Sequence, residues 1–412
     1  MAVGPYFQKY AGAGAAGLPV PSWSHTAWSF LGAFTGMACI GLLDAYIVVP
    51  MAHLKLLVAA FGAMAVLLFS AIKVPVSQPF NTIAGNTLGA LVGVSVVTVL
   101  QAAGLDDWFW LSGALSVSLT IALQELTYCV HPPGGATALI FALVVPIQQE
   151  HWMYVFAPAM LGSVVMVCVS LVINNLASDR SYPQFWSPVK KVQEHEMIPM
   201  LKVEEANEES GHEDEPSLLM VYLSKFAGAG GDPAPKPKLV ETLFSFLGSF
   251  AGMSVLGLLD TYVLAPRFNL KVEVAAFGAM SVLIFSTSKA PLAQPSNAII
   301  GNSIGGAVGF FVVSIMSSFG LQGMIWTSAA LSVALTIAVQ ERANSVHPPG
   351  GATALLYTIT PALQTMGAKF IFAPAFLGAV IMVVMGTLMN NLSPDRTYPQ
   401  RWTLDDSKPV KS

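Results

Sequence analysis

Long apolar runs separated by short polar segments dominate the chain. In the first half, the runs of about spanning length are Trp28 to Val49, Leu56 to Ile72, Thr82 to Leu100, Trp108 to Leu123 and Tyr154 to Leu176. A membrane-crossing helix needs about 20 mainly apolar residues, with a range of about 17 to 25. A further run, Ala136 to Val145, is too short to cross the hydrocarbon alone. The pattern predicts an all-α membrane protein with about six helical segments in this half, several of them broken or incomplete.

The second half of the chain repeats the first. The segment HPPGGATAL begins at His131 and again, 216 residues later, at His347. Roughly half of the positions from Pro21 to Trp186 are identical to their counterparts at this offset, far more than shared composition would give. We therefore predict two homologous repeats, residues 1–186 and 218–402, with about six helical segments in each.

The composition indicates a protein that lies in lipid. Hydrophobic residues make up 54% of the 412 positions and charged residues 10%, whereas a soluble domain carries about 25% charge. Residues 187–217 lack any apolar run and are rich in glutamate, which predicts an acidic, disordered linker. Residues 403–412 form a polar tail. We expect a multi-pass integral membrane protein whose surroundings are the bilayer and which has no nucleic-acid partner. The membrane and the oligomeric state, a monomer as a pseudo-dimer or a higher homo-oligomer, stay open.

The basic residues suggest how the repeats are oriented. Lysine and arginine flank the first and last helices of both repeats, which favours both termini and the linker on the cytoplasmic or equivalent side. This arrangement requires an even number of crossings per repeat, and six segments satisfy it. The repeats are then parallel copies with pseudo-twofold symmetry, and inverted copies are the alternative.

Two elements of each repeat interrupt the apolar sequence with proline, glycine and polar side chains. The first is KVPVSQPFNTIAGN, from Lys73 to Asn86, with a copy from Lys289 to Asn302. Proline removes a backbone donor and disfavours helix in the residue before it, so one helix ends near Lys73 and another begins near Pro79. The side chains suited to capping this new end or to binding a ligand are Gln78, Asn81 and Asn86, with Gln294, Asn297 and Asn302 in the copy.

The second element is the HPPGGAT sequence. Its consecutive prolines predict an extended path, after which helix resumes and leaves unpaired backbone donors. These donors are expected from Gly134 to Thr137 and, in the copy, from Gly350 to Thr353. The binding residues predicted at this element are His131, Gly134, Gly135 and Thr137, with His347, Gly350, Gly351 and Thr353 in the copy. A helix amino terminus carries about half a positive charge and binds anions readily. Because broken helices near the bilayer midplane bind substrate in transporters, we predict substrate-binding residues at both elements of each repeat.

Lys73 and Lys289 indicate the sign of the ligand. An ionised lysine at the bilayer centre costs about 2.5 to 3.5 kcal/mol, so it is retained only with partners or a purpose. We expect a buried ammonium and the amino termini of interrupted helices to share one pocket for a small anion, once per repeat. The alternative is a structural ion pair in which Glu125 or Asp44 neutralises Lys73.

Several other polar residues have two interpretations. His131 fits proton transfer or gating, since histidine titrates near neutral pH, and it equally fits a brace for the turn before the prolines. Glu125 and Glu341 fit proton coupling or hydrogen bonding to the HPPGG turn, and the structural role is favoured. Asp44 and Asp260 fit a solvated position near the membrane interface better than a role in transport.

The remaining candidates are structural. Cys39, Cys129 and Cys168 lie in apolar stretches of the first half and predict neither a disulfide framework nor a metal site. We expect no cofactor. The sequence from Asn174 to Arg180 predicts a helix terminus followed by a structured loop.

The repeated motifs resemble one known family. The HPPGGATAL element, the preceding Gln-Glu pair, the KxPxxQPxN stretch, the FGAM run and the YxxK(Y/F)xGxG segment are similar to those of the HPP family of integral membrane proteins. The resemblance covers both halves except the linker and the last ten residues, so the chain looks like a fused tandem. Some relatives are regarded as nitrite transporters, which implies movement of a small monovalent anion here.

The leading hypothesis is a membrane transporter or channel for a small monovalent anion, with nitrite first and nitrate or another monovalent anion next. A membrane scaffold or sensor, in which the acidic linker is the active part, is a second hypothesis. An intramembrane enzyme using His131 and Glu125 is a third. The enzyme hypothesis is disfavoured because neither half places a serine or cysteine nucleophile beside a base at matching positions, and no HExxH motif occurs.

Overall fold

The computed structural model describes residues 6, 8–15, 19–187 and 218–403. The predicted linker beyond Ser187 and the polar tail beyond Thr403 therefore lie outside the described residues.

Both repeats consist of helices, and no strand occurs in the described part of the chain. The main helices of the first repeat are α1 (Trp23–Ala52), α2 (Ala60–Ser70), α3 (Pro79–Ala102), α4 (Phe109–Leu126), α5 (Pro132–Leu143) and α6 (Val155–Leu176). Those of the second repeat are α7 (Leu239–Phe268), α8 (Ala276–Ser286), α9 (Pro295–Ser318), α10 (Ile325–Arg342), α11 (Pro348–Ile359) and α12 (Ile371–Asn390). Short helices also occur at Val145–Gln148, Leu218–Ser224 and Pro361–Gln364. The prediction of an all-α protein with about six helical segments per repeat is confirmed.

The lengths of these helices fit a multi-pass membrane protein. Seven helices within the described ranges are long and apolar enough to cross a membrane, namely α1, α3, α4, α6, α7, α9 and α12. Helices α2, α5 and α8 are shorter apolar helices. Protein surrounds helices α2, α5 and α8, because the residues of all three are buried along most of their length.

Local sequence explains where the helices begin. Helix α1 starts after Ser22, whose hydroxyl accepts the His25 amide at 3.1 Å, as a helix cap does. Proline occupies the first turn of α3, at Pro79, and of α5, at Pro132, where its missing donor costs nothing. Helices do begin anew at both predicted elements. The first element connects α2 to α3, and the second connects α4 to α5.

Both interrupting elements lie at one end of the bundle. The carbonyl of Val76, just before α3, contacts His131 Nδ1, just before α5, at 2.7 Å. Arg180, just after α6, donates to Ser29 near the start of α1 and to the Phe69 carbonyl near the end of α2. The starts of α1, α3 and α5 and the ends of α2 and α6 therefore share one end, which we call the entry end.

The second repeat runs in the same direction as the first. Ser245, near the start of α7, donates to Glu125 near the end of α4 at 2.7 Å. At the corresponding contact between α10 and α1, Arg342 at the end of α10 donates to the Pro21 carbonyl just before α1. Because α4 ends and α7 begins at the entry end, both repeats enter the bundle from that end. The prediction of parallel repeats with pseudo-twofold symmetry agrees with these contacts.

The two repeats are interleaved. Helix α1 packs along α10 and α7 packs along α4, while α5 contacts α8 and α11 contacts α2. A Cβ on Gly41 would lie 2.6 Å from the Cβ of Trp326, and one on Gly257 would lie 2.8 Å from that of Trp110. Matched contacts of this kind join the halves into one core, so neither repeat has a core of its own.

A third interruption was not predicted from the sequence. Near the start of α6, Ala157 has an extended backbone (φ −137°, ψ 119°), and Ala373 of α12 repeats this kink. Asn86 of α3 contacts this kink, because its amide nitrogen donates to the Ala159 carbonyl at 3.1 Å. The signal in the sequence was Ala-Pro-Ala inside an apolar run, which hydrophobicity alone obscures.

Candidate functional site

The HPPGG glycines allow backbones to pass one another closely. A Cβ on Gly134 would lie 2.4 Å from the carbonyl oxygen of Gly85 in α3, and one on Gly135 would lie 2.5 Å from that of Gly278 in α8. The Gly134 amide donates to the His131 carbonyl at 2.9 Å. The expectation of an unpaired donor at this amide is therefore wrong, because the turn itself closes the hydrogen bond. The second repeat has the same bond between Gly350 and His347.

His131 is part of a network that holds the turn before α5. Gln124 donates to the carbonyls of Gly85 at 2.9 Å and of His131 at 3.1 Å, and its oxygen accepts the His131 amide. With the bond from its Nδ1 to the Val76 carbonyl, the buried His131 ring joins the two interrupting elements. Gln340 and His347 make the same bonds in the second repeat. This geometry is that of the brace, one of the two roles considered for this histidine.

Gln78 also braces a loop. Its side-chain nitrogen donates to the carbonyls of Ile72 and Val74, both at 3.0 Å, and its oxygen accepts the Gln184 amide at 2.7 Å. Gln294 repeats these contacts with Ser288, Ala290 and Gln400. Both glutamines are buried, and their polar atoms are occupied by the backbone of the entry end.

Asn86 and Thr137 form a third internal network. The Thr137 hydroxyl donates to the Asn86 oxygen at 2.6 Å, and the Asn86 nitrogen donates to Ser163 as well as to the kink of α6. The same bond joins Thr353 to Asn302. These side chains therefore couple α3, α5 and α6 within each repeat.

Lys73 and Lys289 are exposed in the structure. The expectation of a buried ammonium is wrong, because each lysine follows the end of a helix at the entry end, where a long side chain reaches out of the core. The pairing of Lys73 with Asp44 is wrong as well. Asp44 lies toward the opposite end, where it accepts the amides of Leu56 and Leu57 at 2.6 and 2.9 Å and pairs with Lys55 at 3.1 Å.

Asp44 differs from the prediction in one further respect. The expected solvated position is wrong, since only 5% of Asp44 and 3% of Asp260 is exposed. Asp260 repeats the pattern with Lys271 at 2.6 Å and the Val272 amide at 2.6 Å. Each aspartate ties the chain before α2 or α8 to the helix that precedes it.

Glu125 and Glu341 meet the opposite repeat. Glu125 Oε1 accepts the Ser245 hydroxyl at 2.7 Å, and Ser245 in turn accepts from Arg396 at 2.8 Å. Glu341 Oε1 accepts the Ser70 hydroxyl at 2.6 Å and lies 3.6 Å from His25 Nε2. Both glutamates are buried, and the Oε2 atom of each has no hydrogen-bond partner among the described residues. The sequence analysis assigned Arg180, the counterpart of Arg396, only to a structured loop after a helix.

A cavity of about 590 Å³ opens at this boundary, on the Glu125 side. Its wall combines both interrupting elements of the first repeat with the end of α8 and the following turn of the second. The charged residues that line it are Glu125, Lys236, Glu241, Lys289, Asp395 and Arg396, and Asn81 lies among them. Of the predicted site residues, the structure thus brings Asn81, Glu125 and Lys289 to one cavity, while Lys73 is absent from its wall.

The two asparagines that begin α3 and α9 have different surroundings. The Asn81 amide nitrogen donates to the carbonyls of Tyr128 and Val130 at 3.3 and 3.1 Å, and its oxygen is buried without a partner in the described structure. Asn297 donates to Val346, and its oxygen accepts from Arg401 Nη2 at 3.2 Å. The residue that corresponds to Arg401 in the first repeat is Phe185, which lines the cavity.

An apolar cluster lies beside the cavity at the junction of the repeats. It consists of Leu67, Val76, Leu283, Leu292 and Ala293, all buried. Three of these residues, Val76, Leu283 and Leu292, also line the cavity. The cavity therefore ends against an apolar wall.

Two interleaved parallel repeats of six helices, with spanning lengths and a polar cavity at one end, define a multi-pass α-helical membrane protein. The sequence matches the transmembrane region of the HPP family twice, over residues 18–183 and 234–399. The chain belongs to this family, and each repeat is one copy of its membrane region.

Two curated transmembrane proteins of Dictyostelium discoideum are similar to the chain. One is 37% identical over 182 residues, which is 44% of this chain and 63% of the relative. The other is 38% identical over 161 residues, which is 39% of this chain and 50% of the relative. The chain thus spans less than two thirds of the length of either relative. No solved structure matches it.

Proposed function

We propose that the protein is a transporter or channel for a small monovalent anion, with nitrite as the first candidate. The observation that carries the proposal is the cavity at the repeat boundary, whose wall holds the cationic groups of Lys236, Lys289 and Arg396. Lysines at the rim of a cleft that is walled by protein raise the concentration of anions near its mouth, while the acids Glu125, Glu241 and Asp395 lie in the same wall. The resemblance to relatives regarded as nitrite transporters favours nitrite among monovalent anions.

The positions of these charges fit a path in which the anion first meets the lysines at the rim and then approaches Arg396 deeper in the cavity. Lys236 and Lys289 are exposed at the rim, where salt screens their field beyond about 8 to 10 Å. Arg396 is buried, and its Nη1 and Nη2 groups bind the Phe285 carbonyl at 2.8 Å and Ser245 at 2.8 Å. In this scheme the lysines attract the anion and the fixed guanidinium keeps a positive charge behind them.

The apolar cluster serves as the gate in this proposal. Leu283 and Leu292 line the cavity and belong to the cluster between the repeats. A hydrophobic constriction stops ions because it does not replace their water of hydration. The structure described here is then a state closed at this point, and conduction requires the repeats to separate locally around the cluster.

The test uses the matched lysines of the two repeats. Purified protein in liposomes is assayed for nitrite uptake and for anion-driven current, with K289Q, K73Q and the double variant beside the wild type. We expect K289Q to lower uptake at limiting nitrite several-fold, because one of three cavity cations is lost. K73Q is the control, since Lys73 is absent from the cavity wall.

The possible results separate the parts of the proposal. Equal effects of K73Q and K289Q would contradict the role of this cavity, and unchanged flux in the double variant would defeat the role of the lysines. Nitrate and chloride measured in the same assay decide whether nitrite is preferred. Lack of flux for every anion tested would defeat the transport proposal itself.

A further inference from the structure

The Asn81 side of the cavity contains two hydrogen-bond acceptors that the protein leaves unused. Asn81 is 6% exposed and Glu125 is 2% exposed. The Asn81 oxygen and Glu125 Oε2 are buried and find no partner within residues 19–187 and 218–403. An unpaired buried acceptor costs about 1 to 3 kcal/mol, and more when it is charged. Their persistence at a cavity wall indicates a ligand with donors.

The two acceptors lie on either side of one turn. The Asn81 nitrogen donates to the Tyr128 carbonyl, and the Tyr128 amide donates to the Glu125 carbonyl at 3.5 Å. Because both hydrogens of the Asn81 amide serve backbone carbonyls, its oxygen must be the atom left over. An amide oxygen and a carboxylate oxygen accept hydrogen bonds, so they do not bind an anion.

The second repeat supplies a donor at the corresponding place. Arg401 is 8% exposed, and its Nη2 group donates to the Asn297 oxygen at 3.2 Å. Asn297 corresponds to Asn81, and Arg401 corresponds to Phe185 at the cavity wall. A covalently tethered guanidinium therefore occupies, in the second repeat, the position that is open in the first.

We propose that the Asn81 side of the cavity binds a small monovalent cation with N–H donors, of the guanidinium or ammonium class, and that Arg401 is a built-in substitute for this cation in the second repeat. The cation bonds to the Asn81 oxygen and to Glu125 Oε2. Each chain then has one open site and one closed site, in spite of its internal duplication.

The charges of the cavity are compatible with this cation. Lys236 and Lys289 extend from the exposed rim, and Arg396 reaches Glu125 Oε1 through the Ser245 hydroxyl. The second carboxylate oxygen, Oε2, has no hydrogen-bond partner among the described residues and stays available to a donor. The inference goes beyond anion transport, because it concerns binding of a cation and does not require flux. Its failure would leave the anion proposal untouched, and the reverse also holds.

The test compares two cations on purified full-length protein in detergent. Guanidinium chloride at low millimolar concentration is titrated by calorimetry and by thermal shift, with sodium chloride keeping the ionic strength constant. Tetramethylammonium has the same charge without N–H donors and is the control ligand. We expect one equivalent of guanidinium to bind, and no saturable binding of tetramethylammonium.

Five variants locate the site. R401F copies the residue of the first repeat into the second, and we expect it to raise the stoichiometry from one to two. F185R copies the tethered cation into the first repeat, and we expect it to abolish binding. E125Q keeps a side chain of the same size and should weaken binding about tenfold, whereas E341Q, its counterpart, should leave the affinity unchanged. R342L, which changes another arginine of the second repeat to the residue at position 126, controls for loss of charge.

The outcomes that would overturn the proposal are distinct. Equal binding of tetramethylammonium would exclude recognition by donors. One equivalent in R401F, measured on a folded protein, would exclude the substitute role of Arg401. Undiminished binding in F185R would place the site elsewhere, and this variant retains the Asn81 amide and its backbone bonds.

Discussion

Glu273 is a buried acid whose ionisation should make the stability of the protein depend on pH. It lies in the connection between α7 and α8, outside the spanning helices, and is 2% exposed. A Cβ on Gly113 would lie 2.8 Å from Glu273 Oε1, which has no hydrogen-bond partner among the described residues. The carboxylate thus occupies the space of a missing side chain between α4 and α7. At the corresponding contact between the repeats, Leu57 takes the place of Glu273 and Ala329 that of Gly113.

Burial raises the pKa of Glu273 from 4.5 to about 8, with Lys271 lowering it by a smaller amount and Asp260 raising it. The difference, at 1.36 kcal/mol for each pKa unit, corresponds to about 5 kcal/mol of folding free energy. Because the pKa of the folded state is the higher one, this stability is fully present below pH 4.5 and is lost as pH rises through about 8. Between pH 5.5 and pH 8.5 the loss amounts to about 3 kcal/mol.

The substitution Glu273→Gln removes the titration and nearly keeps the shape of the side chain. We expect unfolding in detergent, followed over a series of pH values, to show a shallower loss of stability from pH 5.5 to 8.5 than in the wild type. The double variant Glu273→Leu with Gly113→Ala reproduces the apolar pair Leu57 and Ala329 of the corresponding contact and should be more stable than the wild type at pH 8.5. Asp106→Asn, at an exposed acid, is the control. Identical pH profiles for wild type and Glu273→Gln would refute this reasoning.

Three other predictions concern the contacts between and within the repeats. Lys9 donates to carbonyls that follow α12, and Lys225 donates to carbonyls that follow α6. Lys9→Met and Lys225→Met should therefore each lower the free energy of unfolding by about 1.5 to 3 kcal/mol. Unchanged stability in both variants would contradict a stabilising role for these hydrogen bonds. Gly134→Ala should cost about 1 to 3 kcal/mol or more, because its Cβ would lie 2.4 Å from a backbone oxygen, whereas Gly323→Ala, with nothing within 4 Å, should be neutral in the same thermal assay. Asn86→Asp removes the donor to the kink of α6 and should cost about 1 to 3 kcal/mol; unchanged thermal unfolding would show that the kink does not depend on it.

The entry end shows which structural features the proline and glycine motifs predicted and which they did not. The Pro79 and Pro132 signals predicted where α3 and α5 begin, because the effect of proline on the backbone is local. The same reading predicted amides free to bind an anion at Gly134, and the structure pairs this amide with His131. A glycine in the sequence indicates that another group approaches its backbone closely. It does not tell whether that neighbour is a ligand or another backbone.

The charged residues show the same limit. Lys73 and Lys289 are adjacent in sequence to apolar runs, which suggested burial, but their side chains leave the core. The cavity instead combines Glu125 of the first repeat with Arg396 of the second. A contact between residues so far apart in the chain depends on how the helices interleave, and no local pattern encodes it.

The sequence by itself determined the membrane class, the duplication, the number of helices and their approximate limits. These properties follow from hydrophobic length and from proline, which act over a few residues. Only the tertiary structure decided that the repeats interleave, that the interrupting elements meet at one end, and that the two halves differ at Asn81 and Asn297. The physical reason is that burial and hydrogen-bond partners belong to pairs of distant residues, so identical motifs acquire different surroundings once Phe185 or Arg401 stands beside them.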